Sequence, residues 1–365
     1  MGDDSQSPEN CTDSPTGFHA SVYAATYTIL FIPGLLGNGL ALWVLCHVLR
    51  KKSKAVVFMI NLAAADLAHV LSLPLRMYYY IHHSWPFGSF LCQSCFYLKY
   101  LNMYASICFL TCISIQRYLF LQHPFKAQAW KCQYDVAVSA AIWAVVGAAC
   151  LPLPILRSPN LTNDTHTCFA DLGVRPLSLG ASVAMVVVAE LSGFLVPLAI
   201  IVSCTWRTRR SLKGGHARLP QAHEKRKAWR MILGCAAVFF VCFTPYHVNF
   251  PLFMMVKQEA IRSCSVRRGI LHFHTVSLCL ASLNCCLDPI IYYFMTSEFQ
   301  QKLFQNCAVI TCSRFTSLEN SGTAVSSAEG QSEANKRKKN VLMAYFWIRG
   351  PHRLEDDGMA SPLSS

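Results

Sequence analysis

Two carboxylates and one guanidinium stand where apolar residues would be expected. Asp66 ends Asn61-Leu62-Ala63-Ala64-Ala65-Asp66, Asp288 opens Asp288-Pro289-Ile290-Ile291-Tyr292, and Arg117 lies in Ser114-Ile115-Gln116-Arg117-Tyr118. Each sits in or at the edge of a long apolar stretch. Charge is expensive inside a membrane and marks function there. Two uncompensated carboxylates in a dry interior call for a bound cation or a shared proton. Asn102 and Ser106 are spaced i, i+4, as are Asn284 and Asp288, so each pair can share a helix face. Arg117 is charged at every accessible pH. Catalysis finds no support, because His and Asp residues are scattered without nucleophile–base spacing or a metal-ligand cluster.

A second set of charges lies toward the other ends of the same stretches. Arg76, Lys99, Arg157, Lys257, Arg267 and Arg268 face no obvious acid. Arginine offers a planar fork to phosphate or carboxylate and lysine a point charge. Arg76 and Lys99 are deep, so they are candidates for holding an anionic ligand; pairing with Glu190 or capping of backbone carbonyls stays open. Tyr78, Tyr79, Tyr80, Tyr100, Met103, Tyr104, Phe169, His247, Phe250 and His274 surround them in sequence. Of the set, Arg76, Tyr79, Lys99, Tyr100, Met103, Arg157, Phe169, His247, Phe250, Lys257 and His274 are the candidate ligand contacts. Cys150–Ile155 and Ala184–Ala189 are uniformly apolar. A cationic cap above an apolar trough suits one acyl chain with a charged head. A nucleotide would want more cations and stacking.

The elements that must position these residues are membrane spans. The chain is 53% hydrophobic and 14% charged, against about 25% charge in ordinary soluble domains. A spanning helix needs roughly 20 apolar residues. Spans are predicted near 22–48, 55–80, 90–121, 134–155, 179–206, 228–256 and 269–294. The fold class is an all-α membrane protein, a seven-helix bundle. Fifteen Lys and Arg residues fall on the three loops that share a side with Arg117, six on the opposite loops and none before the first span. The positive-inside rule then places the N-terminus outside and the C-terminus inside. The net charge of +13 follows the membrane and is no nucleic-acid signature.

Residues 1–21 read as an extracellular N-terminus, too polar for a cleaved signal, 22–306 as the seven-span domain with its short eighth helix and 307–365 as a disordered cytoplasmic tail. Asn10, Asn160 and Asn163 are glycosylation acceptors on outer segments. Most of the 18 cysteines lie within spans as small buried hydrophobes. Four lie outside, where conditions oxidise, and the bridges expected are Cys92–Cys168 and Cys11–Cys264. Phe299, Leu303 and Phe304 can share a face of a short amphipathic eighth helix, Ser297–Asn306. Cys307 and Cys312 after it are palmitoylation candidates. Lys336-Arg337-Lys338-Lys339 can touch anionic inner-leaflet membrane lipids.

Gly37-Asn38, Asn61 to Asp66, Gln116-Arg117-Tyr118, Trp143, Pro197, Cys242-Phe243-Thr244-Pro245 and Asp288 to Tyr292 together resemble the rhodopsin-like (class A) G-protein-coupled receptors. Phe58 to Leu62, Leu71 to Arg76 and Phe96 to Ser106 resemble the purinergic-type receptors that respond to lysophosphatidylserine. The resemblance implies a plasma-membrane receptor for a lysophospholipid, coupled to a heterotrimeric G protein of the twelve/thirteen class, with receptor kinases and arrestin acting on the tail. It implies a switch built from Arg117, Tyr118, Phe243, Pro245, Asp288, Pro289 and Tyr292. It implies a sodium ion among Asp66, Asn102, Ser106, Asn284 and Asp288, and no other cofactor. Two departures stand out. Gln116 replaces the acid that restrains the matching arginine, so a weaker ionic restraint and basal activity are expected. Thr205 replaces a tyrosine common after Pro197. A nucleotide receptor is the same-fold rival; a transporter would need inverted repeats and broken helices, and neither is evident.

Overall fold

A computed structural model describes residues 16–49, 56–123, 129–156, 168–169, 177–213 and 219–295. Among them, seven helices are long and apolar enough to cross a membrane: Gly17–His47, Val56–His82, Gly88–Gln122, Cys132–Leu156, Leu179–Leu212, Lys225–Lys257 and Cys264–Ile291. All seven expected spans are present and no strand occurs among the described residues. The first helix starts at Thr16, so the last residues assigned to the N-terminal segment are helical. The fifth runs six residues beyond its expected end, carrying Arg207, Arg209 and Arg210 on helix.

The seam between protein and surroundings follows helix periodicity. Ile29, Ile32, Leu36, Leu40 and Trp43 stay exposed along one face of the first span. Bulky apolar side chains exposed in a stripe are stable against lipid and a liability in water. The opposite faces bury Tyr27, Leu62, Phe109, Phe239 and Phe243 in one core. Lipid is as apolar as leucine, so polar contacts must help to sort the helices. Asn38 donates to the Cys285 carbonyl at 2.6 Å, joining the first and seventh spans. Trp143 donates to Asn61 at 2.8 Å, joining the fourth to the second. Tyr97 donates to the Gly147 carbonyl at 3.0 Å, joining the third to the fourth.

Proline shapes three spans. A proline removes one backbone donor and its ring presses on the carbonyl four residues earlier. Wide π-turns at Leu191–Leu195 and Phe239–Phe243 lie just before Pro197 and Pro245 and give that carbonyl room. The seventh span keeps helical dihedrals through Leu283, six residues before Pro289, but its backbone bonds there mix i−3 and i−4 spacing.

Gly34 sets the closest approach of the first span to its neighbours. A Cβ there would meet Val70 at 2.8 Å and the Cys285 sulfur at 3.3 Å, whereas one at Gly39 would meet nothing within 4 Å. Overpacking of this kind costs about 1–3 kcal/mol. Gly34→Val is expected to lower the unfolding temperature of the purified protein clearly, and Gly39→Ala to leave it within error, by thermal melting in detergent.

Candidate functional site

The disulfide Cys92–Cys168 forms as expected, with a Cα separation of 5.9 Å. It ties the third span to the segment holding Phe169. That residue takes a left-handed backbone at φ 55°, uncommon for a side-chain-bearing residue. The ring is buried and lies 5.3–5.8 Å from those of Tyr79, Tyr80 and Trp85. Cys264 is also in a disulfide; Cys11, its expected partner, lies outside the described residues.

Phe169 covers Arg76. The guanidinium is 4.6 Å from the Phe169 ring centroid and 5.9 Å from that of Tyr27, and it donates to the Cys95 carbonyl. Arg76 is 1% exposed and Lys99 7%. The Lys99 ammonium donates to the Tyr27 hydroxyl at 3.1 Å and lies 4.9 Å from the Tyr23 ring centroid. Cation–π attraction strengthens where water is excluded. Arg76 and Lys99 thus share the Tyr27 ring, with Phe169 on Arg76 and Tyr79 against Phe169. Tyr23 and Tyr27 complete the box, and sequence reasoning missed them. Their i, i+4 spacing, which puts both on one face of the first span, was an available signal. The carbonyl-capping alternative for Arg76 is realised in part, through Cys95. The Glu190 alternative is not: Glu190 accepts from His247 Nδ1 at 3.1 Å.

Other expected ligand contacts form two further groups. Tyr100 faces Tyr246 at 6.3 Å, and Tyr246 stacks on Phe250 and lies 5.7 Å from His274. His274 stacks on Phe253 at 3.9 Å, and the Lys257 ammonium is 5.5 Å from the same Phe253 ring. His247 instead stacks on Phe194 inside the fifth span's π-turn and meets Tyr104 edge-on. Met103 shares a small cavity with Lys99, Tyr100, Asn102 and Ser282. Arg157 lies outside the described residues.

Asn102, which lines that cavity, also bonds to Asp66. Asp66 Oδ1 accepts from Asn102 at 2.8 Å, from Asn284 at 3.0 Å and from Ser106 at 3.5 Å. Asn284 also donates to Ser106 at 3.0 Å. All five expected residues are buried, at 3% exposure or less. Asp66 Oδ2, both Asp288 carboxylate oxygens and the Asn284 carbonyl oxygen have no hydrogen-bond donor. Buried orphan oxygens cost about 1–3 kcal/mol each, more when charged. This set of hard oxygen atoms fits a small hard cation, and a proton shared between the Asp66 and Asp288 carboxyls would also answer the cost.

At the far end of the third span, Arg117 and Tyr118 are half-buried. Gln116 donates to Asp135 Oδ2 on the fourth span at 3.2 Å. The acid missing beside Arg117 in sequence is thus supplied to Gln116 from another helix, a pairing that spacing could not reveal. Phe243 is fully buried before Pro245. Pro289 packs at Gly37, 3.1 Å from where a Cβ would sit. Thr205 donates back to the Ile201 carbonyl of its own helix at 2.7 Å, so its hydroxyl is engaged locally. The side chain of Tyr292 lies outside the described residues, as do Asn10, Asn160, Asn163, Cys307, Cys312 and the expected eighth helix.

The profile of the family described as "7 transmembrane receptor (rhodopsin family)" matches residues 37–292. A human protein named as purinoceptor 10 is 56% identical over 327 residues, covering 89% of this chain and 96% of its own length. Human "Probable G-protein coupled receptor 174" is 52% identical over 79% of this chain and 87% of its own length. Human "Lysophosphatidic acid receptor 4" is 34% identical over 80% of this chain and 79% of its own length. With its seven apolar helices and this match across all of them, the chain belongs to the rhodopsin family of seven-transmembrane receptors, multi-pass membrane receptors rather than enzymes.

Proposed function

We propose that this receptor binds an extracellular lysophospholipid, lysophosphatidylserine first, and signals through heterotrimeric G proteins of the twelve/thirteen class to Rho. The observation that carries the reading is the pair of buried cations, Arg76 and Lys99, in one aromatic box at the disulfide end. An anionic head group would form charge-assisted hydrogen bonds with both, and these are the strong kind. The similarity to a receptor named for lysophosphatidic acid points the same way. Leu151, Ile155, Val187 and Val188 are exposed on the fourth and fifth spans and offer an acyl chain an apolar path from the bilayer. The name of the purinoceptor relative keeps a nucleotide ligand as the rival.

The remaining assignments belong to the same reading. The N-terminus is extracellular and glycosylated at Asn10, with Asn160 and Asn163 on the same side. The C-terminal tail is cytoplasmic, palmitoylated at Cys307 and Cys312, and a substrate for receptor kinases before arrestin binds. Arg117, Tyr118, Phe243, Pro245, Pro289 and Tyr292 form the switch. Sodium binds among Asp66, Asn102, Ser106, Asn284 and Asp288 and offsets the charge of the orphan oxygens.

Lysophosphatidylserine, lysophosphatidic acid, sphingosine-1-phosphate and nucleotides should be compared in cells lacking background lipid receptors, with Rho activation as the readout. Lysophosphatidylserine is expected to act. Arg76→Ala and Lys99→Ala are each expected to weaken it by about 10- to 100-fold, as loss of a hydrogen bond to a charged group implies. A response to nucleotides alone would discard the lipid assignment. Sodium needs no ligand to test: replacing choline by sodium should raise the melting temperature of the wild-type receptor and leave that of Asp66→Asn unmoved. Equal stabilisation of both would rule out this site.

A further inference from the structure

We propose that Asp135 is a positioning residue for signalling: its buried carboxylate fastens Gln116, the residue before Arg117, to Trp130 and so restrains the third span in the resting receptor. Both carboxylate oxygens carry donors. Oδ1 accepts from the Trp130 indole at 2.8 Å and Oδ2 from the Gln116 amide at 3.2 Å. Asp135 is 1% exposed, so either oxygen, once deserted, has little water to turn to. It lies in the first turn of the fourth span, where the helix dipole favours a negative charge. Ser139 donates to its backbone carbonyl at 2.8 Å and braces that turn further.

The geometry opposes one particular motion. Successive residues on a helix are about 100° apart, so fixing Gln116 toward the fourth span fixes the heading of Arg117. Rotating the end of the third span to present Arg117 to a G protein would pull Gln116 off Asp135. The buried carboxylate would then give up a charge-assisted donor, and bonds to charged groups are the costlier ones to lose. Trp130, against Tyr134 at 5.5 Å, carries the restraint to the surface. Both rings are exposed, at 43% and 54%, so a bound protein partner can reach the bridge from outside. The tie takes the place of the acid that Gln116 displaced, with the carboxylate moved from the third span to the fourth. An alternative role is purely architectural, an anchor for the start of the fourth span.

The test uses ligand-independent nucleotide exchange, so it stands apart from the ligand assignment. Full-length wild type, Asp135→Asn, Gln116→Met, Trp130→Phe and the double variant Asp135→Asn/Gln116→Met are compared at matched surface number. Exchange is read on a panel spanning all G-protein classes, which removes dependence on the coupling class. Each single variant is expected to raise basal exchange by about threefold to tenfold, a shift within reach of one hydrogen bond to a charged group. The double variant should gain no more than the larger single, because both break one bridge. Trp130→Phe keeps the ring and drops only the N–H, so it holds the test open if the buried substitutions fold poorly. Unchanged exchange per receptor, with loss confined to surface number or melting temperature, would assign Asp135 the architectural role. Additive gains would also overturn the single-bridge account.

Discussion

Burying charge among apolar helices is the constraint on which the rest of this structure depends. Inside a membrane there is no water to neutralise a carboxylate or an ammonium, so each must find protein partners, an ion, a proton or a ligand. Asp66 meets it with three side-chain donors converging on one oxygen, from Asn102, Ser106 and Asn284. Its other oxygen and both of those of Asp288 remain without donors. Arg76 and Lys99 meet it differently, with aromatic faces, a hydroxyl and a backbone carbonyl. These partners hold the two cations side by side in one box. An anion entering that box would add charge-assisted bonds to both.

The same constraint organises the helices. The third span carries Lys99, Asn102, Ser106 and Gln116 along its length, and these reach the first, second, seventh and fourth spans in turn. A small cavity is lined by Lys99 from the cation box and by Asn102 from the carboxylate cluster. The π-turn before Pro245 and the mixed i−3 and i−4 backbone bonds around Leu283 make the sixth and seventh spans locally irregular. Such irregular turns recur at functional sites because their backbone bonds are easier to rearrange.

Sequence made the spans, their number and the cost of Asp66, Asp288, Arg76 and Lys99 legible, because apolar length and a charge within it are local properties. Same-helix pairs such as Asn102 with Ser106 were legible too, from their spacing. Partners across helices were not. Tyr27 lies 72 residues from Lys99, and Asn284 lies 218 from Asp66. The Asn284–Asp66 contact was foreseen only through family resemblance, and Tyr27 was not foreseen. Asp135 was missed because an acid at the edge of a span reads as surface until its burial and its two donors are seen. Glu190 read as an open partner for Arg76 or Lys99, and only the fold placed His247 against it.

The most direct measurement of the central claim is an experimental structure of the receptor with lysophosphatidylserine bound. The lipid's anionic head group is expected within hydrogen-bond distance of Arg76 and Lys99, with the acyl chain along the fourth and fifth spans. A head group held elsewhere, with both cations still enclosed by Tyr23, Tyr27 and Phe169, would contradict it.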